Sequence, residues 1–146
     1  MRRLVSLLVA TAVVLAAVGA SSAATGRSIT IVKASAAPSG IVTVQVKIRG
    51  WKMYPALVGK KPNKLDGGHW HVLVDGKYSN ASAKATSGTS LALESGTHRI
   101  TVELANNDHS LLKPRVRSGA VTVVVDVPTV PADPLPSPPS EPPPGY

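Results

Sequence analysis

The sequence predicts an all-β domain, an antiparallel β-sandwich of about seven strands, and three observations carry that expectation. Between Arg27 and Val127, short runs rich in valine, isoleucine and threonine recur, separated by Gly, Pro, Asn and Ser. Several of these runs alternate apolar with polar residues, which is the period of a strand buried on one face. No segment of the region holds a helical period long enough to sustain a helix.

The elements follow in order. Ser28 to Lys33 opens the domain. Ile41 to Arg49 comes next, with Val42, Val44, Val46 and Ile48 alternating against Thr43, Gln45, Lys47 and Arg49. His69 to Asp75 is the third, and Gly76 and Lys77 turn the chain toward Tyr78. A polar stretch from Ser79 to Gly88 leads into Thr89 to Leu93. Thr97 to Ala105 places Ile100, Val102 and Leu104 inward, with Arg99, Thr101 and Glu103 outward. Gly119 to Val127 closes the domain on Val121, Val123 and Val125. Six to seven strands at this spacing suit a sandwich.

The two ends read differently. MRRLVSLLVATAVVLAAVGASSA has two arginines, an apolar run from Leu4 to Gly19 and small residues up to Ala24. That is the pattern of a secretory signal over residues 1–24, with cleavage after Ala23 or Ala24. The run falls short of the ~20 apolar residues a membrane span needs, so no stable membrane insertion is expected after cleavage. The domain then occupies residues 25–127, secreted or in the cell envelope. Residues 128–146, PTVPADPLPSPPSEPPPGY, lack strand donors and read as a disordered proline-rich tail.

Composition narrows the function. The 146 residues contain no cysteine, which excludes disulfides, thiolate metal sites and a cysteine nucleophile. Lys and Arg number 16 against 8 Asp and Glu, and loss of Arg2 and Arg3 with the signal leaves the mature chain at +6. A basic exported domain favours an anionic partner such as a cell-wall polymer or glycan, and no motif marks a specific nucleic acid. The oligomeric state is not written in the pattern.

The segment GGHWHVLVDG, Gly67 to Gly76, carries the clearest chemistry. Trp70, Val72 and Val74 share the buried face of the strand, so His69, His71, Leu73 and Asp75 share the outer one. Two imidazoles therefore stand together, away from the core. His98 has the parity of Ile100, Val102 and Leu104 and is expected to point inward and pin a corner by hydrogen bonding to backbone. If the strands from Ile41, His69, Thr97 and Gly119 take the B, C, F and G places of a sandwich, C lies antiparallel beside F. His71 then opposes Glu103, and Asp75 opposes Arg99. Seven strand residues span more than ~20 Å, so His98 lies at one end while His109 comes near His69 at the other.

This places His69, His71 and His109 as one candidate metal site, suited to copper or zinc because neutral imidazole nitrogen ligates both. Trp51, Tyr54, Asn106, Asn107 and Asp108 are the candidate ligand-binding residues around it, with Lys60, Lys61 and Lys64 on the preceding loop.

From GHWHVLVDG through THRITVELANNDHS, the chain resembles a group of secreted bacterial immunoglobulin-like domains with a GHWH strand start and an NNDHS loop. The resemblance spans roughly Ile29 to Val125. It implies an immunoglobulin-like β-sandwich and export, with His69, His71, His98 and His109 matching the pattern, and it implies no activity. The His-x-His pair also resembles that of copper-zinc superoxide dismutases, which need more histidine ligands than this chain has. Two functional readings result. One is an exported, non-enzymatic binding module whose histidine-bearing loop end holds a transition metal or an anionic ligand. The other is a structural envelope domain whose histidines only brace loops. An enzyme ranks third, since Ser110 beside His109 is the sole hint of a nucleophile and base.

Overall fold

The computed structural model describes residues 26–85 and 88–128. The segment read as a signal, and the tail beyond Pro128, lie outside the described residues. Eight strands are present: β1 Ser28–Ala36, β2 Ile41–Arg49, β3 Lys52–Met53, β4 Gly67–Val74, β5 Lys77–Ser82, β6 Thr89–Ala92, β7 Gly96–Ala105 and β8 Val121–Val125. No α-helix occurs among the described residues, and none is long and apolar enough to cross a membrane.

The strands form two sheets. One has the order β1-β2-β6; in the other, β4 lies between β5 and β7, β8 follows β7, and β3 pairs in parallel with the first two residues of β4. All other pairings are antiparallel. This is the arrangement of an immunoglobulin-like sandwich, with β1, β2 and β6 in the A, B and E places and β5, β4, β7 and β8 in the C′, C, F and G places. The expected C–F neighbours are β4 and β7, in the expected register: His71 opposes Glu103.

Alternation builds the core as the sequence requires. Val42, Val44 and Val46 of β2 meet Trp70, Val72, Ile100, Val102, Leu104, Val121, Val123 and Val125 of the facing sheet, all buried. Each large aliphatic side chain so removed from water contributes roughly 1.5–3 kcal/mol. Trp70 is fully buried, and its indole N–H donates to the Lys84 carbonyl at 3.0 Å. The β7–β8 connection also dips inward, burying Leu112 and Val116.

Two strands differ from the expectation. β5, KYSNAS, lies within a stretch read as polar connection; it lacks an apolar alternation because it is an outer strand, and backbone pairing to β4 across the Asp75-Gly76 turn holds it. That turn has left-handed φ at both residues, 51° and 82°, the conformation that closes a two-residue hairpin. β3 is two residues long and too short to show a period.

The second sheet's outer face is not open. Every residue of β4 from Gly67 to Leu73 is buried. The ends of the long loop from Gly50 to Asp66 are tied together by Lys52, whose ammonium lies 2.7 Å from Asp66, and by the Tyr54 hydroxyl, which donates to Asp66 at 3.0 Å. Gly67 and Gly68 let the layers touch. A Cβ at Gly67 would overlap the Lys52 carbonyl and the Tyr54 ring, and one at Gly68 would overlap the Ala105 carbonyl.

Candidate metal centre

His69 and His71 sit two apart on β4, so both rings leave the sheet on the same side. His69 opposes Ala105, the last residue of β7, and the tight loop that follows carries His109 back over them. The three rings converge. His69 Nε2 lies 2.9 Å from His71 Nε2 and 3.0 Å from His109 Nδ1, and the last two are 3.2 Å apart. The sequence expectation for this trio is met in placement, while His98 stands at the far end of β7.

A near-equilateral triangle of nitrogens has room for one small cation. An imidazole N–H aimed at the centre would meet a second such proton at ~1.3 Å, so the metal-free cluster holds at most one proton there. His69 Nε2, His71 Nε2 and His109 Nδ1 would hold such an ion as three neutral nitrogen donors. A tetrahedral ion needs the nitrogens ~3.3 Å apart, an expansion of a few tenths of an ångström. With three protein donors, such an ion would keep room for a further ligand.

Burial corrects one expectation. His69 and His71 face away from the sandwich interior, yet they are only 0% and 5% exposed, because the loops and β5 cover them; His109 is exposed. Tyr78 of β5 packs edge-on against His71, with ring centroids 4.9 Å apart. Burial, aided by the charge of His71 and His109, lowers His69 to a pKa of about 4. His71 is lowered too, chiefly by burial. Both rings are therefore neutral near pH 7, the form that ligates. His69 Nδ1 is buried without a partner. In the metal-free state its proton is accordingly placed on Nε2, shared with the lone pairs of the other two rings.

The loop that presents His109 is braced throughout. His109 N–H donates to the Asn106 carbonyl at 3.1 Å, and Asn106 N–H to the Ser110 carbonyl at 2.9 Å. This is a three-residue hairpin in which His109, at φ 67°, takes the left-handed position that usually belongs to glycine. Asp108 accepts from the Ser110 hydroxyl at 2.6 Å and from Ser110 N–H at 3.1 Å. The Ser110 hydroxyl, followed by Asn63, holds the Asp108 carboxyl down at about 2. The neighbouring loop is stitched on by Gly59 N–H to the Asn107 carbonyl, 2.6 Å, and by Asp108 N–H to Asn63 Oδ1, 3.0 Å.

Of the residues expected to bind a ligand, Asn106 and Asp108 lie in the loop that carries His109, while Trp51 and Asn107 are buried. Trp51 is buried in the core cluster with the Arg27 guanidinium 4.7 Å above its ring, so it is packing rather than surface. Asn107 is fully buried. Tyr54 is bonded to Asp66, the Asn106 amide donates to the Ser110 hydroxyl at 3.0 Å, and Asp108 is occupied as described. Lys60, Lys61 and Lys64 are exposed, and the Lys61 ammonium is 3.9 Å from Asp108. Tyr78 and Asn63 were not anticipated, because each reaches the centre from an element whose pairing no periodicity announced.

The charge pairs also differ from register alone. Glu103, opposite His71, is buried and takes Arg117 Nε and Nη2 at 3.0 and 2.8 Å. Asp75 pairs with His98 at 2.9 Å and accepts the Arg99 backbone N–H at 2.7 Å, so its partner is not the arginine side chain. His98 also donates to the Glu94 carbonyl at 3.1 Å, pinning the corner as expected, but it is half-buried rather than inside the core. His98→Ala is expected to cost about 1 kcal/mol in urea unfolding, since water reaches the groups it leaves. Metal affinity should not change; a loss of affinity would show that the two ends are coupled.

No family model and no curated protein matches the sequence. Among solved structures, the chain is similar to fibronectin(III)-like modules of Clostridium thermocellum CbhA, at 13% identity and a TM-score of 0.46. The match covers 69% of this chain and 47% of that one, so the chain spans about half the length of the structure it matches.

Proposed function

We propose that this domain is an exported, non-enzymatic binding module that holds one copper or zinc ion at His69, His71 and His109. The observation that carries the reading is the convergence of three imidazole nitrogens within 3.2 Å of one another, on two buried histidines and an exposed third. Neutral nitrogen donors without thiolate or carboxylate suit these two ions. Export is supported by the N-terminal pattern, and loose attachment to an anionic wall polymer or glycan by the basic surface. The Ser110 hydroxyl donates to Asp108 and not to a histidine, which argues against nucleophilic catalysis at this loop.

Calorimetric titration of the purified mature protein, stripped with chelator, tests the reading. One equivalent of Cu(II) or Zn(II) should bind with Kd well below ~10 μM and raise the melting temperature. Binding weaker than ~10 μM for both ions would instead favour the structural-domain reading, in which the close ring contacts only lock two loops together.

A further inference from the structure

We propose that the metal at this centre takes a small oxyanion, a carboxylate or a phosphate, as its remaining ligand, and that Lys60, Lys61 and Lys64 draw that anion in. The inference rests on the metal reading above. Charge supplies the first argument. Three neutral imidazoles leave a divalent ion its whole charge, and a bound cation is then the largest local charge in the site. The two nearby carboxylates are already engaged. Asp108 Oδ1 is taken by Ser110 and its Oδ2 lies 3.9 Å from Lys61, while Glu103 is held by two nitrogens of Arg117. Among the described residues, neither carboxylate joins the three histidine nitrogens that converge on the centre.

Geometry supplies the second. Three protein donors would leave a four-coordinate ion at least one position for a further ligand. The segment after Gly59 runs beside His109: a Cβ at Gly59 would stand 4.0 Å from His109 Nε2, and Asn63 is bonded to the Asp108 N–H. Lys61, 80% exposed with its ammonium 3.9 Å from Asp108, and the exposed Lys60 and Lys64 all lie on this segment. A dication beside a segment that carries three exposed ammonium groups repels further cations and attracts anions. Water would complete the coordination of such an ion but leave its charge, whereas an anion in the same position would neutralise part of it.

The test uses the mature protein loaded with Cu(II), titrated with sodium azide, whose binding to copper is read as a ligand-to-metal charge-transfer band. The band should appear with an apparent Kd of ~1 mM or tighter, and acetate or phosphate should compete it away. Replacing all three lysines, Lys60→Gln, Lys61→Gln and Lys64→Gln, should weaken azide about 3- to 10-fold at low ionic strength, with the difference fading at ~1 M salt. Copper affinity should stay within about twofold, since none of the three is a ligand. Copper that stays bound but gives no band at ~100 mM azide means a closed coordination sphere and overturns the proposal. An unchanged azide affinity in the lysine variant overturns the part assigned to the lysines. Failure to bind copper at all refutes the underlying metal reading, and is seen before any azide is added.

Discussion

His109→Gly is expected to lower affinity for Cu(II) or Zn(II) at least ~100-fold while leaving the metal-free domain close to its original stability. Two features of the loop separate the effects. His109 is exposed, so its ring contributes little burial, and its backbone sits at φ 67°, where a side chain costs about 1 kcal/mol or more that glycine does not pay. Glycine's greater freedom in the unfolded chain offsets part of that relief, so the net change in urea unfolding should fall within about 1 kcal/mol. Metal binding loses one of three donors. A histidine kept in a position shaped for glycine is a local conflict between sequence and backbone, and such conflicts gather where a side chain has work to do. Calorimetry and unfolding on the same sample decide the matter. Unchanged affinity in the variant would remove His109 from the centre, and a large loss of stability would make its role structural.

That conflict was invisible in the sequence, although the histidine itself was not. Alternation in Ile41–Arg49 and Thr97–Ala105 gave β2 and β7 nearly to the residue, because each buries one face and exposes the other. Pairing β7 with the His69 strand, β4, fixed which end His69 and His109 share, and the trio followed. Strand parity assigns a side chain to a face, but what lies above that face is set by loops without a period. The loop from Gly50 to Asp66 is held at that end by Gly59 N–H to the Asn107 carbonyl and by Asp108 N–H to Asn63, contacts separated by up to 48 positions, and it turned an open outer face into a closed one. For the same reason Trp51 and Asn107 were expected on the surface and are found inside, while Tyr78 came in on β5, whose polar sequence reveals an edge strand only once β4 is placed.

Closure of that face makes the metal-free domain acid-sensitive: between pH 7 and pH 4 it is expected to lose roughly 3 kcal/mol through His69 alone. The sign follows from where protons bind. In the unfolded chain His69 titrates near 6.5, whereas in the fold burial and its two neighbours hold it at about 4. Above pH 6.5 neither state takes the proton and stability is complete. As pH falls below 6.5 the unfolded chain gains a proton that the fold refuses, so stability drops by about 1.4 kcal/mol per pH unit until the folded ring also titrates near 4. His71, lowered for the same cause, acts in the same direction. His98 acts oppositely: the Asp75 carboxylate raises it, so its contribution is present below 6.5 and fades as pH rises through its folded value. Water around that half-exposed pair keeps the opposing effect small. Asp75 and Asp108 are both held below the usual carboxylate range, so their contributions persist until pH approaches 4. Urea midpoints of chelator-treated protein at half-unit steps from pH 7.5 to about 4.5 should therefore fall steadily. In His69→Gln the decline should be distinctly shallower, because the main proton-refusing group is gone. A flat or rising profile in the unmodified protein would mean that the imidazoles accept protons in the fold and that the face above them is open to water.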